Sequence, residues 1–436
     1  MARHRLYVTM AALLGVGAVA LSACGTDSQS GSGGGNSSKS SSASIQIWEG
    51  WTGDEAKTFT KLVNEYEKQN PGVKISSLYV DNDDTLQKVT TAVRGGSPPD
   101  IAYLYGSWAP NVATIPQVVD LTQVVKKAGV NWNDFYVGER DVATVNGKVI
   151  GIPALVDNLA VVYNKKLFAA AGLQPPSPNW TWDDFVSDAQ KLTVASKKQY
   201  GTAYVTPGTE DTVWHWEALL WEAGGQILNS GNTKAAFNSP AGLTSLNTLK
   251  TLAANKSMYF DPTDQAYENV FNSGKIGMLV TGPWDLSTFP NVQYGVQIMP
   301  TYPGSDGGHQ TISGPDNWVV FNNGSAKAAA AEKFLLWLTA PAQVKTWSLA
   351  TGDLPTRTSV ANTPGFVPKM NTTLPGVSTF IANLSNVKQA RPQITQYPKI
   401  STVLGNMVLS VLLNKSTPQA ALKSAEQQVN QVLAGS

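Results

Sequence analysis

From residue 45 onward the apolar positions switch between a strand-like and a helix-like period. Ile45 and Ile47 alternate with Gln46 and Trp48 as in a strand, which runs into the turn-forming loop Glu49-Gly50-Trp51-Thr52-Gly53. Ala56, Phe59, Val63 and Tyr66 then recur at helical spacing, and Asn70-Pro71-Gly72 stops the helix before Val73-Lys74-Ile75 opens a second strand. Strand, helix and strand in that order predict a parallel βαβ unit. The alternation continues with a helix over 85–94, a break at Gly95-Gly96-Ser97-Pro98-Pro99 and an apolar strand over 101–104. Asn146-Gly147, between apolar runs at 142–145 and 148–150, predicts a tight hairpin. Thr181-Trp182-Asp183-Asp184 opens a helix as a capping box, with Asp184 reaching back to the cap. A further helix covers 328–338 and is ended by Pro341; two more fill 400–433, joined at Ser416-Thr417-Pro418. The body is an α/β protein in two lobes, without internal repeats.

The N-terminus follows a different pattern. Arg3 and Arg5 precede a largely apolar stretch over 6–20 and the small residues of Leu21-Ser22-Ala23-Cys24, the order of an export signal. Gly15 and Gly17 and the short length argue for cleavage rather than a permanent span. The four residues resemble the lipobox of bacterial lipoproteins, which implies a signal peptide over 1–23 and a lipid-bearing Cys24 at the mature N-terminus. Acyl chains there would anchor the protein by burying methylenes in the bilayer. A plain secretory signal with a chance cysteine is the alternative. Residues 24–43 follow as a Gly/Ser-rich tether without a large apolar side chain. Such a coil spans roughly 20–25 Å. Its Gly33-Gly34-Gly35 run is not a phosphate loop, since no strand precedes it and no helix follows.

Composition narrows the chemistry. Cys24 is the only cysteine of the 436 residues, so the body has no disulfide and no thiolate metal site. The net charge is +1 with both signs interspersed, which gives no electrostatic case for nucleic acid. Outside the signal only His215 and His309 remain, too few for a histidine zinc cluster. There is no G-x-S-x-G elbow, and Gly274-Lys275 lacks the rest of a P-loop. Two carboxylates across a cleft would suffice for glycoside hydrolysis, which leaves a secreted carbohydrate-active enzyme open. The acidic pairs Asp83-Asp84 and Asp183-Asp184 read more simply as helix N-terminal charge.

The 13 tryptophans stand out against 14% charged residues. Trp48, Trp51, Trp108, Trp214, Trp216, Trp221, Trp284 and Trp318 include several in Gly- or Pro-marked loops, where core packing needs them least. An aromatic ring can cover the C–H face of a sugar while carboxylates, amides and arginine meet its hydroxyls. Core packing is the alternative for each ring, and it is the reading for Trp337 and Trp347 in apolar helices.

At this point the motifs form a series. Gly95-Gly96-Ser97-Pro98-Pro99-Asp100-Ile101, Asn146-Gly147-Lys148-Val149-Ile150-Gly151-Ile152-Pro153 and Tyr163-Asn164-Lys165-Lys166-Leu167-Phe168 come first. Trp182-Asp183-Asp184-Phe185, Gly274-Lys275-Ile276-Gly277-Met278 with Gly282-Pro283-Trp284, and Leu354-Pro355-Thr356-Arg357 follow. In this order they resemble the family 1 extracellular solute-binding proteins, lipid-anchored receptors of carbohydrate ABC importers. Ile150 stands where that family usually has an aromatic residue.

The resemblance implies a two-lobe, periplasmic-binding-protein-like fold of type II, with a ligand cleft between the lobes. Three crossings are expected near 154–158, 313–316 and 353–356. Lobe one then holds 44–155 and 316–352, and lobe two 156–315 and 353–436. Carried over by position, Trp284 and Trp214 become stacking platforms, Asp157 a hydroxyl acceptor and Arg357 a donor. Glu49 and Trp51, Tyr105 and Trp108, and Asp316 and Trp318 face the cleft from lobe one. The other role for Asp157 and Arg357 is a mutual or hinge salt bridge. These positions bring together no His, Tyr or carboxylate cluster, which disfavours a metal ligand.

The resemblance further implies no catalysis and no cofactor. It implies a carbohydrate ligand, an ABC permease as partner, a membrane held through the lipid anchor, and a monomer facing the extracellular side of a single-membrane bacterium. The aromatic abundance points to an oligosaccharide. A non-sugar solute bound by the same fold remains the alternative.

Overall fold

The structure is a computed structural model that describes residues 43–205, 210–261, 266–305 and 307–435. The first apolar alternation is strand β1 (Ala43–Glu49), with Ala43, Ile45, Ile47 and Glu49 facing inward. Helix α1 (Gly53–Gln69) follows, burying Phe59, Leu62, Val63 and Tyr66. Next comes β2 (Val73–Tyr79), which pairs with β1 in parallel from Ala43↔Val73 to Glu49↔Tyr79. Asp81 caps α2 (Asn82–Arg94) by accepting the Asp83 N–H at 3.1 Å, and β3 (Ile101–Tyr105) pairs in parallel on the other side of β1. The later strands of interest are β4 (Ile152–Leu155), β5 (Ala160–Asn164), β6 (Met278–Thr281), β7 (Tyr294–Gln297) and β8 (Asp316–Val320).

Two sheets result. The first has the order β2-β1-β3-β8-β4, with β8 antiparallel to both of its neighbours. The second is antiparallel with the order β6-β5-β7. One face of the first sheet packs Ile45, Ile47 and Trp318 against Phe59 and Phe334; the other packs Ala102 and Leu104 against Val89 and Phe321. The second sheet belongs to a larger core that includes Trp182, Trp216, Trp221 and Phe271. Each such side chain contributes about 1.5–3 kcal/mol on burial, which lets a chain without body disulfides hold together. This is a two-lobe α/β fold.

Helix α3 (Glu210–Glu222) is buried nearly all round. Helix α4 (Ser325–Leu338) stops before Pro341, and that proline then sits in the first turn of α5 (Pro341–Thr351), where its missing N–H costs nothing. Helices α6 (Tyr397–Leu412) and α7 (Pro418–Leu433) meet at Thr417, whose hydroxyl accepts the Ala420 N–H. The Thr181–Asp184 capping box forms with both reciprocal bonds. At the hairpin, Asn146 and Gly147 take φ of 51° and 75°, the pair of positive values a type I′ turn needs. Its first strand is shorter than the apolar run: Val142 ends a helix (Val137–Val142), and its carbonyl accepts the Asn317 Nδ2–H at 3.1 Å. A long-range contact has overridden the local β preference.

The chain passes from sheet to sheet along two segments, after β4 and before β8, and a third, between α5 and the next helix, lies beside them. Val156 bridges to Leu354 and Asn158 to Ser313, so all three are tied edge to edge. Gly314 donates its N–H to Asp157 Oδ1 at 2.8 Å, and a Cβ on Gly314 would lie only 2.5 Å from that oxygen. Glycine is required for so close an approach.

Candidate ligand-binding cleft

The C-terminal ends of β1, β3 and β4 and the N-terminal end of β8 emerge on one edge of the first sheet. Loops from that edge, the crossing segments and the start of α3 enclose a cavity of about 250 Å³. Strand ends are where an α/β sheet leaves a crevice that loops can furnish without disturbing the core. Both lobes contribute rings. Trp51, Tyr79, Tyr103 and Tyr105 line the cavity from the first, and Trp214, Tyr267 and Trp284 from the second. Tyr79 is 55% exposed at the end of β2. Trp214 and Trp284 lie with centroids 5.8 Å apart and planes tilted by 38°. Trp284 folds back over Gly282 so closely that a Cβ there would come within 1.8 Å of the indole.

Between the rings stand nine carboxylates and one guanidinium. Glu55, Asp81 and Asp83 come from the loops and helix starts beside β1 and β2. Glu210 and Asp211 open α3, and Glu268 stands in the first turn of a short helix (Tyr267–Asn272). Asp157, Asp316 and Asp353 lie on the crossing segments, 7%, 4% and 0% exposed. The guanidinium is Arg391, which donates to Glu210 at 2.8 Å and is itself buried. Ser401 also donates to Glu210.

Burial is the main force on these acids. It pushes Asp316 up to about 7, although the Tyr103 hydroxyl, Arg391 and the Gly106 N–H favour its anion. It pushes Asp353 up to about 6 against hydrogen bonds that include Trp347 Nε1–H at 2.7 Å. Burial and then the Asp316 charge raise Asp157; burial and then the Asp353 charge raise Glu55. Desolvation and like-charge crowding disfavour the charged form in the same direction. Behind Asp211, His215 Nδ1 lies 3.3 Å from its carboxylate.

Of the sequence-predicted contacts, Trp51, Tyr105, Asp157, Trp214, Trp284 and Asp316 line the cavity. The other four lie behind it. Glu49 shares the inward face of β1, accepting the Trp51 N–H at 2.8 Å and the Ser77 hydroxyl at 2.5 Å, so it positions the Trp51 loop. Trp108 is 4% exposed and packs on Tyr105 with centroids 4.6 Å apart. Trp318 is core, against Phe59, Tyr103 and Trp51. Arg357 turns away to Phe135, the Thr339 carbonyl and Asp134, which lies 3.4 Å away. The cleft arginine is Arg391, and the hinge salt bridge weighed for Arg357 pairs it with Asp134 rather than Asp157.

The expectation that no carboxylate cluster forms is also corrected, because folding converges acids from segments up to hundreds of residues apart. Among the described residues, even so, no three His, Cys, Asp or Glu are placed to hold a metal ion. Sequence reasoning also missed Tyr79, although it ends a strand as Tyr105 does. It missed Glu210 and Asp211, which one helical turn puts beside Trp214.

A cleft between two α/β lobes, walled by rings and hydrogen-bonding side chains, defines a solute-binding protein. The model of the bacterial extracellular solute-binding protein family matches residues 50–345, and the chain belongs to that family. It is 30% identical to the cyclic alpha-maltosyl-1,6-maltose binding protein from Arthrobacter globiformis, covering 90% of this chain and 100% of that one with a TM-score of 0.73. The ABC substrate-binding protein of Listeria monocytogenes solved with cycloalternan is 26% identical, covering 90% and 99%, with a TM-score of 0.80. Among sequence relatives, the sn-glycerol-3-phosphate-binding periplasmic protein UgpB of Pectobacterium atrosepticum is 25% identical over 414 residues, covering 89% of this chain and 91% of the relative.

Proposed function

We propose that this chain is an extracytoplasmic receptor that captures an oligosaccharide between its lobes and delivers it to the permease of an ABC importer. The observation that carries this reading is the composition of the cavity wall: Trp51, Tyr79, Trp214 and Trp284 offer apolar ring faces, and acids and Arg391 stand between them. A pyranose presents apolar C–H faces and a rim of hydroxyls, which this wall complements. The two similar solved proteins, one a cyclic maltosyl-maltose binder and the other holding cycloalternan, support a saccharide of more than one unit. Glycerol phosphate, named for UgpB, suits this cavity poorly because its one guanidinium is already engaged by Glu210.

The sugar stabilises the closed state by touching both lobes, and that state docks on the permease. No bond is made or broken. Trp284, Trp214, Trp51 and Tyr105 stack; Asp157 and Asp316 accept hydroxyls. We assign lobe one to 44–155 and 316–352 and lobe two to 156–315 and 353–436. Cys24, the signal and the tether lie outside the described residues. On the sequence pattern, Cys24 carries lipid, and the tether keeps a monomeric receptor near its permease at high effective concentration. Calorimetric titration with oligosaccharides, followed by analysis of the recovered ligand, tests the reading. Tight binding with intact sugar supports it; release of new reducing ends would replace the receptor with a carbohydrate-active enzyme.

A further inference from the structure

The cavity has a closed end and a mouth. At the crossing segments Asp157, Asp316 and Asp353 are buried, and the bridges between Val156 and Leu354 and between Asn158 and Ser313 join the segments there. Among the described residues that line the cavity, only Thr52, Tyr79 and Asp81 are exposed. All three stand where β1 and β2 end: Thr52 precedes α1, Tyr79 is the last residue of β2, and Asp81 caps α2. β2 is the edge of the first sheet, so no further strand covers this side. Tyr79 is the one ring among these three, 55% exposed, whereas Tyr103, Trp214 and Tyr267 farther in are buried. An edge strand accounts for an exposed tyrosine, but not for its standing in the wall of a cavity. Size sets the consequence. About 250 Å³ is less than the roughly 300–1,000 Å³ of a pocket that encloses a drug-sized ligand, and a trisaccharide is of that size. A bound chain of three or more sugar units therefore overhangs, and the mouth is where it leaves.

Resting on the oligosaccharide-receptor reading, we propose that Tyr79 is an outer stacking subsite and that the receptor selects chains of at least three units, held by one end. The inner units lie between the lobes and the next unit lies on the Tyr79 ring. The pairing of Tyr79 with Glu49 of β1 holds that ring's backbone in the sheet. The Thr52 hydroxyl and the Asp81 carboxylate line the same mouth and can meet the hydroxyls of the unit lying there. An aromatic face recognises the apolar C–H surface that pyranoses share. This subsite therefore reads chain length more than sugar identity, which falls to the polar groups deeper in the cleft.

The test is a calorimetric titration of the full-length protein with size ladders of malto-, isomalto-, cello- and manno-oligosaccharides, each from two to five units. In the ladder that binds, affinity is expected to rise about 5- to 10-fold between two and three units, the range of one aromatic contact. Tyr79→Ala should flatten that step, so that the ratio between the long and short members falls toward one. Tyr79→Phe should keep it, because the ring and not the hydroxyl carries the contact. A thermal melt checks that both variants fold; if Tyr79→Ala does not, Tyr79→Leu, which keeps apolar bulk without a flat face, takes its place. A ladder that binds without a step, or a step that survives loss of the ring, overturns the outer subsite and leaves the sugar receptor standing. Silence from every ladder overturns both.

Discussion

Gly282→Ala tests the proposed stacking shelf without deleting the ring that forms it. The added Cβ would lie 1.8 Å from Trp284 Cζ3 and 2.2 Å from two more ring carbons. Comfortable carbon–carbon contact begins near 3.5 Å, so the indole must retreat by roughly 2 Å. Gly282 has φ −101°, so alanine costs nothing in the backbone and the whole effect falls on the ring. Trp284 cannot retreat directly into Trp214, whose centroid is 5.8 Å away, without breaking that pair. Losing a shaped aromatic contact is worth about 1–1.5 kcal/mol, and the displaced ring also uncovers apolar sugar surface. Affinity should therefore fall roughly 5- to 30-fold, close to the loss for Trp284→Ala. Calorimetry reads the affinity, and a thermal melt confirms that the fold is kept. Unchanged affinity for Gly282→Ala, with a clear loss for Trp284→Ala, would show that the ring swings freely and that the glycine sets nothing.

Three further outcomes are expected. Glu217 is 0% exposed; burial and then Glu210 push its carboxyl up to about 8 despite Arg391 and the Tyr397 hydroxyl at 2.9 Å. A carboxyl whose folded pKa exceeds its unfolded value of 4.5 gives its full contribution below that pH and loses it as pH rises to about 8. Glu217→Gln should thus gain in melting temperature relative to the parent across that window, and a parallel pair of pH profiles would contradict the assignment. Asp134 behaves oppositely. Burial raises its pKa, but hydrogen bonds from Ser359 and Thr358 and the Arg357 charge outweigh it, so its stabilisation is lost as pH falls. Asp134→Ala strands Arg357 and should cost about 3–5 kcal/mol in urea denaturation. Finally, Cys24→Ser should move the protein from the membrane fraction to the medium; retention at the membrane would remove the lipid anchor from the account.

The elements the sequence revealed are those with local causes. The βαβ start follows from Ile45 and Ile47 alternating before a helical period, and the Thr181–Asp184 box and the Asn146-Gly147 turn are decided within four residues. Cleft tryptophans were legible where a turn signal marked a strand or helix end, as at Trp51 and Trp284. Trp318 was not, because β8 is buried on both faces and carries no alternation. Arg391 was invisible for a different reason. It meets Glu210 across 181 residues, and nothing around Ala390-Arg391-Pro392 distinguishes it from a solvated loop arginine. Arg357 shows the reverse error. Its position at a crossing suggested the cleft, while Asp134, 223 residues away, draws it behind the hinge.

The most direct test is a thermal-shift screen of the body from Ala43 onward against oligosaccharides, monosaccharides, amino acids, peptides and phosphate esters. A ligand bound only by the folded state raises the melting temperature as its concentration passes Kd. The account predicts a saturable rise of several degrees with one class of oligosaccharide and little response to phosphate esters. A response confined to a peptide, amino acid or phosphate ester, with every sugar silent, would keep the fold and contradict the function.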